Sequence, residues 1–294
     1  MNDSDIKKWV ETKNIGSLEF RQVTHVILHA ISASSYLCQD FAFKGGAYLS
    51  IAADHDRQTT DIDLSTGNKN HAEAKERIID ELDLQIEDAS YELGYPVEIS
   101  IQSHKIKPRE NNVTYPTLHV SVGYANKNKE REIKRLMQKL SPKTITVDFS
   151  FNDGSYDPVP VTFSSETSGP FELNCYSLDE VVAEKIRAIL QQPVRNRTRP
   201  QDLYDIHRII EKFGFKLDPK AIHSMLISKA EGRGLEKYLN KDGLTHKDVI
   251  SMYEQGHTAL RETVKILPSI KEMLEIADPF YRSMPWTEDS PSPQ

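Results

Sequence analysis

Only two cysteines, Cys38 and Cys175, stand in the 294 residues, too few and too far apart for a disulfide framework or a zinc site. Long apolar runs are also missing, and none approaches the ~18 to 20 residues that a membrane-spanning helix requires. The opening MNDSDIKKWVETKN lacks the apolar centre of a secretory signal, so the expected location is the cytoplasm, with no membrane partner. A positive charge balance is absent as well. The net charge of −7 argues against a general, sequence-independent coat for nucleic acid. No internal repeat is found, and the length suits one large domain or two of ordinary size.

With 38% hydrophobic and 28% charged residues, the composition is that of a globular chain with ample material for a core. Residues 18–39 carry apolar side chains at helical spacing, from Phe20 and Val23 to Ile27 and Ile31. FAFKGG then reads as a short extended piece, AYLSIA as a short helix, TDIDLS as a strand and residues 72–84 as a helix. Period-two segments follow at VEISI (97–101), TLHVSV (117–122) and TITVDFSF (144–151). Between the last two, KNKEREIKRLMQKLSPK (127–143) holds seven Lys or Arg against two Glu. Its Ile133, Leu136, Met137 and Leu140 predict an amphipathic helix with a cationic outer face. After about residue 170 the pattern turns helical, with Ser177 and Glu180 spaced as a capping box and Gly214 placed as a helix stop. The expected organisation is an α+β part over 1–170, an all-helical part over 171–284 and a polar, disordered tail over 285–294.

The chemistry concentrates in RQTTDIDLS. Asp61 and Asp63 share one face of a strand while Ile62 and Leu64 take the other. Aspartate is disfavoured in strands, and two like charges on one face repel. The arrangement gains a purpose if a hard divalent cation sits between the carboxylates. The competing reading is a solvent-facing edge strand whose aspartates keep it soluble. Asp148 adds a third carboxylate on a polar strand face, opposite Ile145, Val147 and Phe149. Upstream, Lys44-Gly45-Gly46 precedes a short helix, where glycines admit phosphates close to the backbone and a helix N-terminus favours anions. Double glycine, short helix, D-x-D strand and a later strand Asp together describe a site that holds a nucleoside triphosphate through its phosphates and bridging metal ions.

KGGAYLS…RQTTDIDLS resembles the GG(T/S)xL…RxSxDIDL signature of the AbiEii/AbiGii-type nucleotidyltransferase toxins, within the polymerase-β-like nucleotidyltransferase superfamily. EKIRAIL…RPQDLYDI continues the likeness, matching the family's Lys-containing helix and (K/R)DxYDL motif. The resemblance implies a mixed-sheet nucleotidyltransferase domain over 1–170, then a helical domain over 171–284 that contributes a Lys and an Asp to the site. It implies transfer of NMP from an NTP, with magnesium or manganese, to an RNA acceptor such as a tRNA 3′ end. It also implies a toxin of a toxin–antitoxin or phage-defence system, with a cognate antitoxin protein. By this likeness Asp61, Asp63 and Asp148 hold metal, Gly45 and Gly46 shape the phosphate loop, and Lys185 and Asp202 match the functional lysine and aspartate. Lys44 and Arg57 join them as candidate nucleotide contacts. Ala47 departs from the pattern, because the family places a Thr or Ser hydroxyl there.

Several residues carry two readings. Lys185 lies beside the apolar stripe of its helix, as a cation directed at triphosphate or as a lysine snorkelling along the core. Asp202 is a catalytic acid or a first-turn charge favoured by the helix dipole. Asp148 and Asp202 are the candidates to deprotonate the acceptor. Arg195, Arg197 and Arg199 guide an RNA backbone or form a solvated loop. The acceptor is an RNA or a protein hydroxyl, and a catalytically silent nucleotide-binding module is the remaining alternative.

Overall fold

The alternation read from the strands becomes a single eight-stranded mixed sheet in the computed structural model, which describes residues 3–12, 16–68, 70–108, 114–165 and 169–286. The chain divides into two compact units at Tyr176/Ser177. The first unit runs β1 (Asp3–Asp5), α1 (Ile6–Thr12), α2 (Leu18–Ala33), α3 (Ser35–Asp40), β2 (Ala42–Lys44), α4 (Gly45–Ala52), β3 (Asp61–Ser65) and α5 (His71–Leu93). It continues with β4 (Val97–Lys107), β5 (Thr117–Asn126), α6 (Glu130–Met137), β6 (Thr144–Ser150), β7 (Pro158–Ser164) and β8 (Phe171–Tyr176). Strand order is β1-β7-β8-β2-β3-β6-β5-β4. The β1/β7, β2/β8 and β3/β6 pairs are parallel and the others antiparallel. Of the tail over 285–294, residues 287–294 lie outside the described residues.

One face of this sheet is apolar throughout its centre. Phe43, Ile62, Leu64, Leu118, Val120, Ile145, Val147 and Phe149 are all buried. Helices α2 and α5 pack on one another and reach the sheet through β4, β5 and β8. Phe41 and Phe149 meet edge to face at 5.1 Å, the geometry that the ring quadrupoles favour. The opposite face is polar, and there the site residues stand.

Three differences from the sequence reading have local causes. The helix expected over 18–39 breaks at Ser34, whose hydroxyl accepts from Leu37 N–H and so starts α3 afresh. Segments β7 and β8 went unread although both alternate, with Val161 and Phe163 buried in the one and Leu173 and Cys175 in the other; Pro158 and Pro160 argue against a strand in β7. Yet β8 bonds to both β7 and β2, which moves the unit boundary past residue 170. The basic helix is the third. It spans only Glu130–Met137 and buries Leu136 alone, while Met137 and Leu140 stay exposed. Beyond the helix, Lys143 Nζ reaches Glu19 at 2.7 Å and the helix's own Glu132 at 2.9 Å, so that one cation of the basic stretch is paired.

Inside the first unit, His25 is fully buried on α2, with Nδ1 2.9 Å from Tyr95 Oη and its ring stacked on Phe171. Burial, reinforced by neighbouring His29, pushes its pKa down to about 4 from an ordinary value near 6.5. Between those two values the unfolded chain binds a proton that the folded chain refuses. Stability is therefore complete above pH 6.5 and falls as pH is lowered toward 4, by at most about 3 kcal/mol from this group. Replacing His25 by Phe should flatten that acid limb; urea midpoints at pH 7 and pH 5 that keep the wild-type difference would exclude His25 as its source.

The second unit is helical: α7 (Leu178–Leu190), α8 (Gln192–Arg195), α9 (Pro200–Phe213), α10 (Pro219–Ala230), α11 (Lys247–Gly256) and α12 (Ile270–Arg282), with short tighter turns between them. Helix α7 packs on α9 and α10, and α9 on α12. Ser177 caps α7 by accepting from Glu180 N–H, and Gly214 follows α9 as expected. The Glu180 carboxylate is fully buried and lies 2.9 Å from Lys229 Nζ on α10, so a charged pair joins the two helices.

Candidate active site

Register decides which side chains meet. Strands β3 and β6 run parallel with Asp63 opposite Asp148 and Asp61 opposite Thr146. On the far side of β6, antiparallel β5 places His119 opposite Asp148. On the far side of β3, antiparallel β2 places Lys44 opposite Asp63. Cross-strand partners share a face. Four adjacent strands thus set Lys44, Asp63, Asp148 and His119 in one row, carboxylates in the middle and basic groups outside. Edge strand β4 extends the row with Lys105, opposite His119. Ile62 and Leu64 are buried while Asp61 is exposed and Asp63 half-buried, the alternation that the D-x-D stretch predicts.

The double glycine closes over this row. Gly45 has φ +79°, and a Cβ there would lie 2.0 Å from Asp63 Oδ2. Only a residue without a side chain allows this approach. At Gly46 a Cβ would lie 2.7 Å from Arg57 Nη2 and 3.0 Å from Thr59 Oγ1, so the Arg57 guanidinium packs over the turn. The predicted residues Gly45, Gly46, Arg57, Asp63 and Asp148 are thereby brought to one place. Gly45→Ala should cost about 1 to 2 kcal/mol from the left-handed backbone alone and should also displace the Asp63 carboxylate. Urea unfolding at wild-type stability would show that the turn relaxes without consequence.

Lys44 has other partners. Its ammonium lies 2.8 Å from Asp153 Oδ2 and 3.5 Å from Tyr176 Oη, and the side chain is buried. Ser65 donates to the same Tyr176 oxygen at 2.8 Å. Asp153 and Tyr176 escaped the sequence reading because a loop and a late strand bring them in.

His119 was missed although a signal existed. The alternation that singles out Asp148 also puts His119 on the polar side of TLHVSV. Its Nδ1 lies 2.7 Å from Asp148 Oδ1 and 3.2 Å from Lys107 Nζ. Burial pushes the Asp148 carboxyl up, His119 pulls it down, and the Asp61 carboxylate adds to the upward push; the outcome is a raised pKa.

Among the described residues, no three His, Cys, Asp or Glu side chains gather into a ready-made metal cluster. Magnesium does not demand one. It keeps several waters and takes one or two carboxylates together with substrate phosphates. The neighbouring hard oxygens of Asp63 and Asp148, beside a glycine cradle, fit such a cation.

In the second unit, Lys185 Nζ lies 2.6 Å from Asp205 Oδ2 and 3.2 Å from Asp202 Oδ1, with all three side chains buried. Arg199 Nε reaches the other Asp202 oxygen at 2.6 Å. Burial works to raise the Asp202 carboxyl, but Arg199 and Lys185 outweigh it and hold it below the ordinary carboxylate range. Lys185 thus meets two carboxylates inside its own unit, a pairing that neither sequence alternative included. Arg195 and Arg197 are exposed. Partial desolvation and the nearby Arg233, Arg199 and Arg197 lower the Arg195 pKa. That gathering includes Arg233, which is distant in sequence.

Two solved structures share this fold, with its mixed sheet. MenT4, a nucleotidyltransferase toxin from Mycobacterium tuberculosis H37Rv, is 14% identical with a TM-score of 0.52, covering 97% of this chain and 90% of its own. A candidate nucleotidyltransferase from H. pylori is 15% identical with a TM-score of 0.50, covering 90% of this chain and 94% of its own. No curated protein matches the sequence. Residues 27–276 match the family described as nucleotidyl transferase AbiEii toxin, type IV toxin–antitoxin system, and the chain belongs to that family. No helix among the described residues is long and apolar enough to cross a membrane.

Proposed function

We propose that this chain transfers NMP from an NTP to a hydroxyl of RNA, the 3′ end of a tRNA, and that this arrests growth unless a cognate antitoxin intervenes. Such an arrest would serve phage defence in the cytoplasm. The observation that carries the reading is the register of Asp63 beside Asp148, under a glycine turn that admits no side chain. An acceptor oxygen attacks the α-phosphorus in line. The new P–O bond forms as the bond to pyrophosphate breaks, and the acceptor proton is released.

Asp61, Asp63 and Asp148 would hold magnesium, or manganese in its place. When bound, the metal supplies positive charge that orients and neutralises the triphosphate. Backbone N–H groups at the start of α4 receive phosphate oxygens, since Ala47 offers no hydroxyl. Arg57, packed over Gly46, balances charge on the phosphates. Asp202, buried against Arg199 and Lys185, is poorly placed to take the acceptor proton, and Asp148 can take it only if one of its oxygens stays off the metal. The first unit carries this chemistry. In the second, Lys185 and Asp202 hold the helical packing near the exposed Arg195 and Arg197, which engage RNA phosphates.

Each labelled NTP is incubated with the protein and total RNA, then with RNA-free lysate. Label on tRNA-sized RNA supports the reading. Label on protein alone assigns a protein hydroxyl as acceptor, and NTP binding without transfer assigns a silent module.

A further inference from the structure

The geometry points to His119 as a positioning residue that fixes the Asp148 carboxylate for metal. This rests on the proposal that Asp63 and Asp148 hold a divalent cation. The two residues are direct cross-strand partners on β5 and β6, and both are half-buried. Their contact is specific in atom as well as residue: Nδ1 to Oδ1 at 2.7 Å.

An ionised carboxylate offers acceptors only, so Nδ1 must carry the proton in this bond. The bond ties Oδ1 toward β5. Asp148 cannot then rotate freely, and Oδ2 is left for the β3 side, where Asp63 stands in register. Hydrogen-bonded partners of this kind orient metal ligands, and their removal typically costs about 10- to 100-fold in metal affinity. Sheet geometry strengthens the case. Both side chains rise from paired backbone positions, so little motion separates them. Lys107 Nζ, 3.2 Å from the same nitrogen, lies on the exposed edge strand; a protonated Nδ1 cannot accept from it, so this contact is a close positive charge and not a second hydrogen bond.

Because the contact uses the δ nitrogen, the isosteric substitutions diverge. Asn places its amide nitrogen at the δ position, whereas Gln places it one bond further out, where Nε2 lies. A generic packing role would treat the two alike. The experiment titrates the full-length protein with Mn2+, followed by the loss of the free-ion electron spin resonance signal. Wild type, His119→Ala, His119→Asn, His119→Gln and Asp63→Asn are compared, each checked for wild-type melting.

The expected result is affinity weakened about 10-fold or more in the Ala and Gln variants and retained within about threefold in the Asn variant. Equal weakening in Asn and Gln, or wild-type affinity in all three His119 variants, overturns the positioning role. In either case, loss of binding in Asp63→Asn leaves the metal site itself standing. Wild-type Mn2+ binding in Asp63→Asn overturns the metal reading and the positioning role together.

Discussion

Asp63→Asn is expected to lower nucleotidyl transfer by about a thousandfold or more while the protein stays folded. Asp63 stands beside Asp148 on a parallel strand pair whose opposite face is solid core. The fold is anchored by Ile62, Leu64, Val147 and Phe149, none of which the substitution touches. Removing one carboxylate also relieves like-charge repulsion in the row, so the metal-free variant should melt at or slightly above the wild-type temperature. The loss of rate follows from charge. A metal-assisted displacement draws several kcal/mol from the cation, and each 1.36 kcal/mol is a factor of ten. Asp61→Asn should act in the same direction. The decisive measurement is initial transfer rate and thermal melting on one preparation with magnesium in excess. A stable variant with wild-type turnover would remove Asp63 from the chemistry. An unfolded one would show that the row is structural.

The parts legible in the sequence are those whose cause is local. Alternation in TDIDLS, TLHVSV and TITVDFSF exposes the sheet and its polar face, because strand side chains change sides at every residue. Gly45 and Gly46 are legible for a similar reason: a turn that touches a neighbouring carboxylate tolerates no Cβ. The likeness to AbiEii proteins rests on these same short stretches. What escaped depends on register between strands far apart in the chain. Nothing in TLHVSV says that His119 will face Asp148 rather than a serine, since a slip of two residues along β6 would keep every face correct. β7 escaped because Pro158 and Pro160 imitate loop, although the alternation of Val159, Val161 and Phe163 was there to read, as was that of Phe171, Leu173 and Cys175 in β8. The basic stretch misled in the opposite way. Its helical spacing is real, but the chain leaves the helix after Met137 and folds back, with Lys139 at φ +58°, to deliver Lys143 to Glu19 and Glu132.

Lys185→Met is the substitution for which structure and spacing disagree most. A snorkelling lysine would make it neutral or mildly stabilising, and a lysine aimed at triphosphate would make it stable and inactive. The ammonium instead lies against Asp205 at 2.6 Å and Asp202 at 3.2 Å, both carboxylates almost wholly inaccessible. Met preserves the stem's apolar contacts but leaves two buried negative charges, of which Asp202 keeps its contact with Arg199. Breaking a buried pair by deleting one partner typically costs about 3 to 5 kcal/mol, because the other charge stays desolvated. The expected result is a large drop in the urea midpoint, with any loss of transfer following the loss of folded protein. A second variant separates structure from catalysis. Lys185→Met combined with Asp205→Leu removes opposite charges together and should recover much of the stability. If the double variant folds and transfers nucleotide, Lys185 acts through the helical packing alone. If it folds and is inactive, the ammonium itself serves the reaction. A single Met variant that melts like wild type would mean that the Lys185, Asp202 and Asp205 cluster contributes nothing to holding α7 against α9.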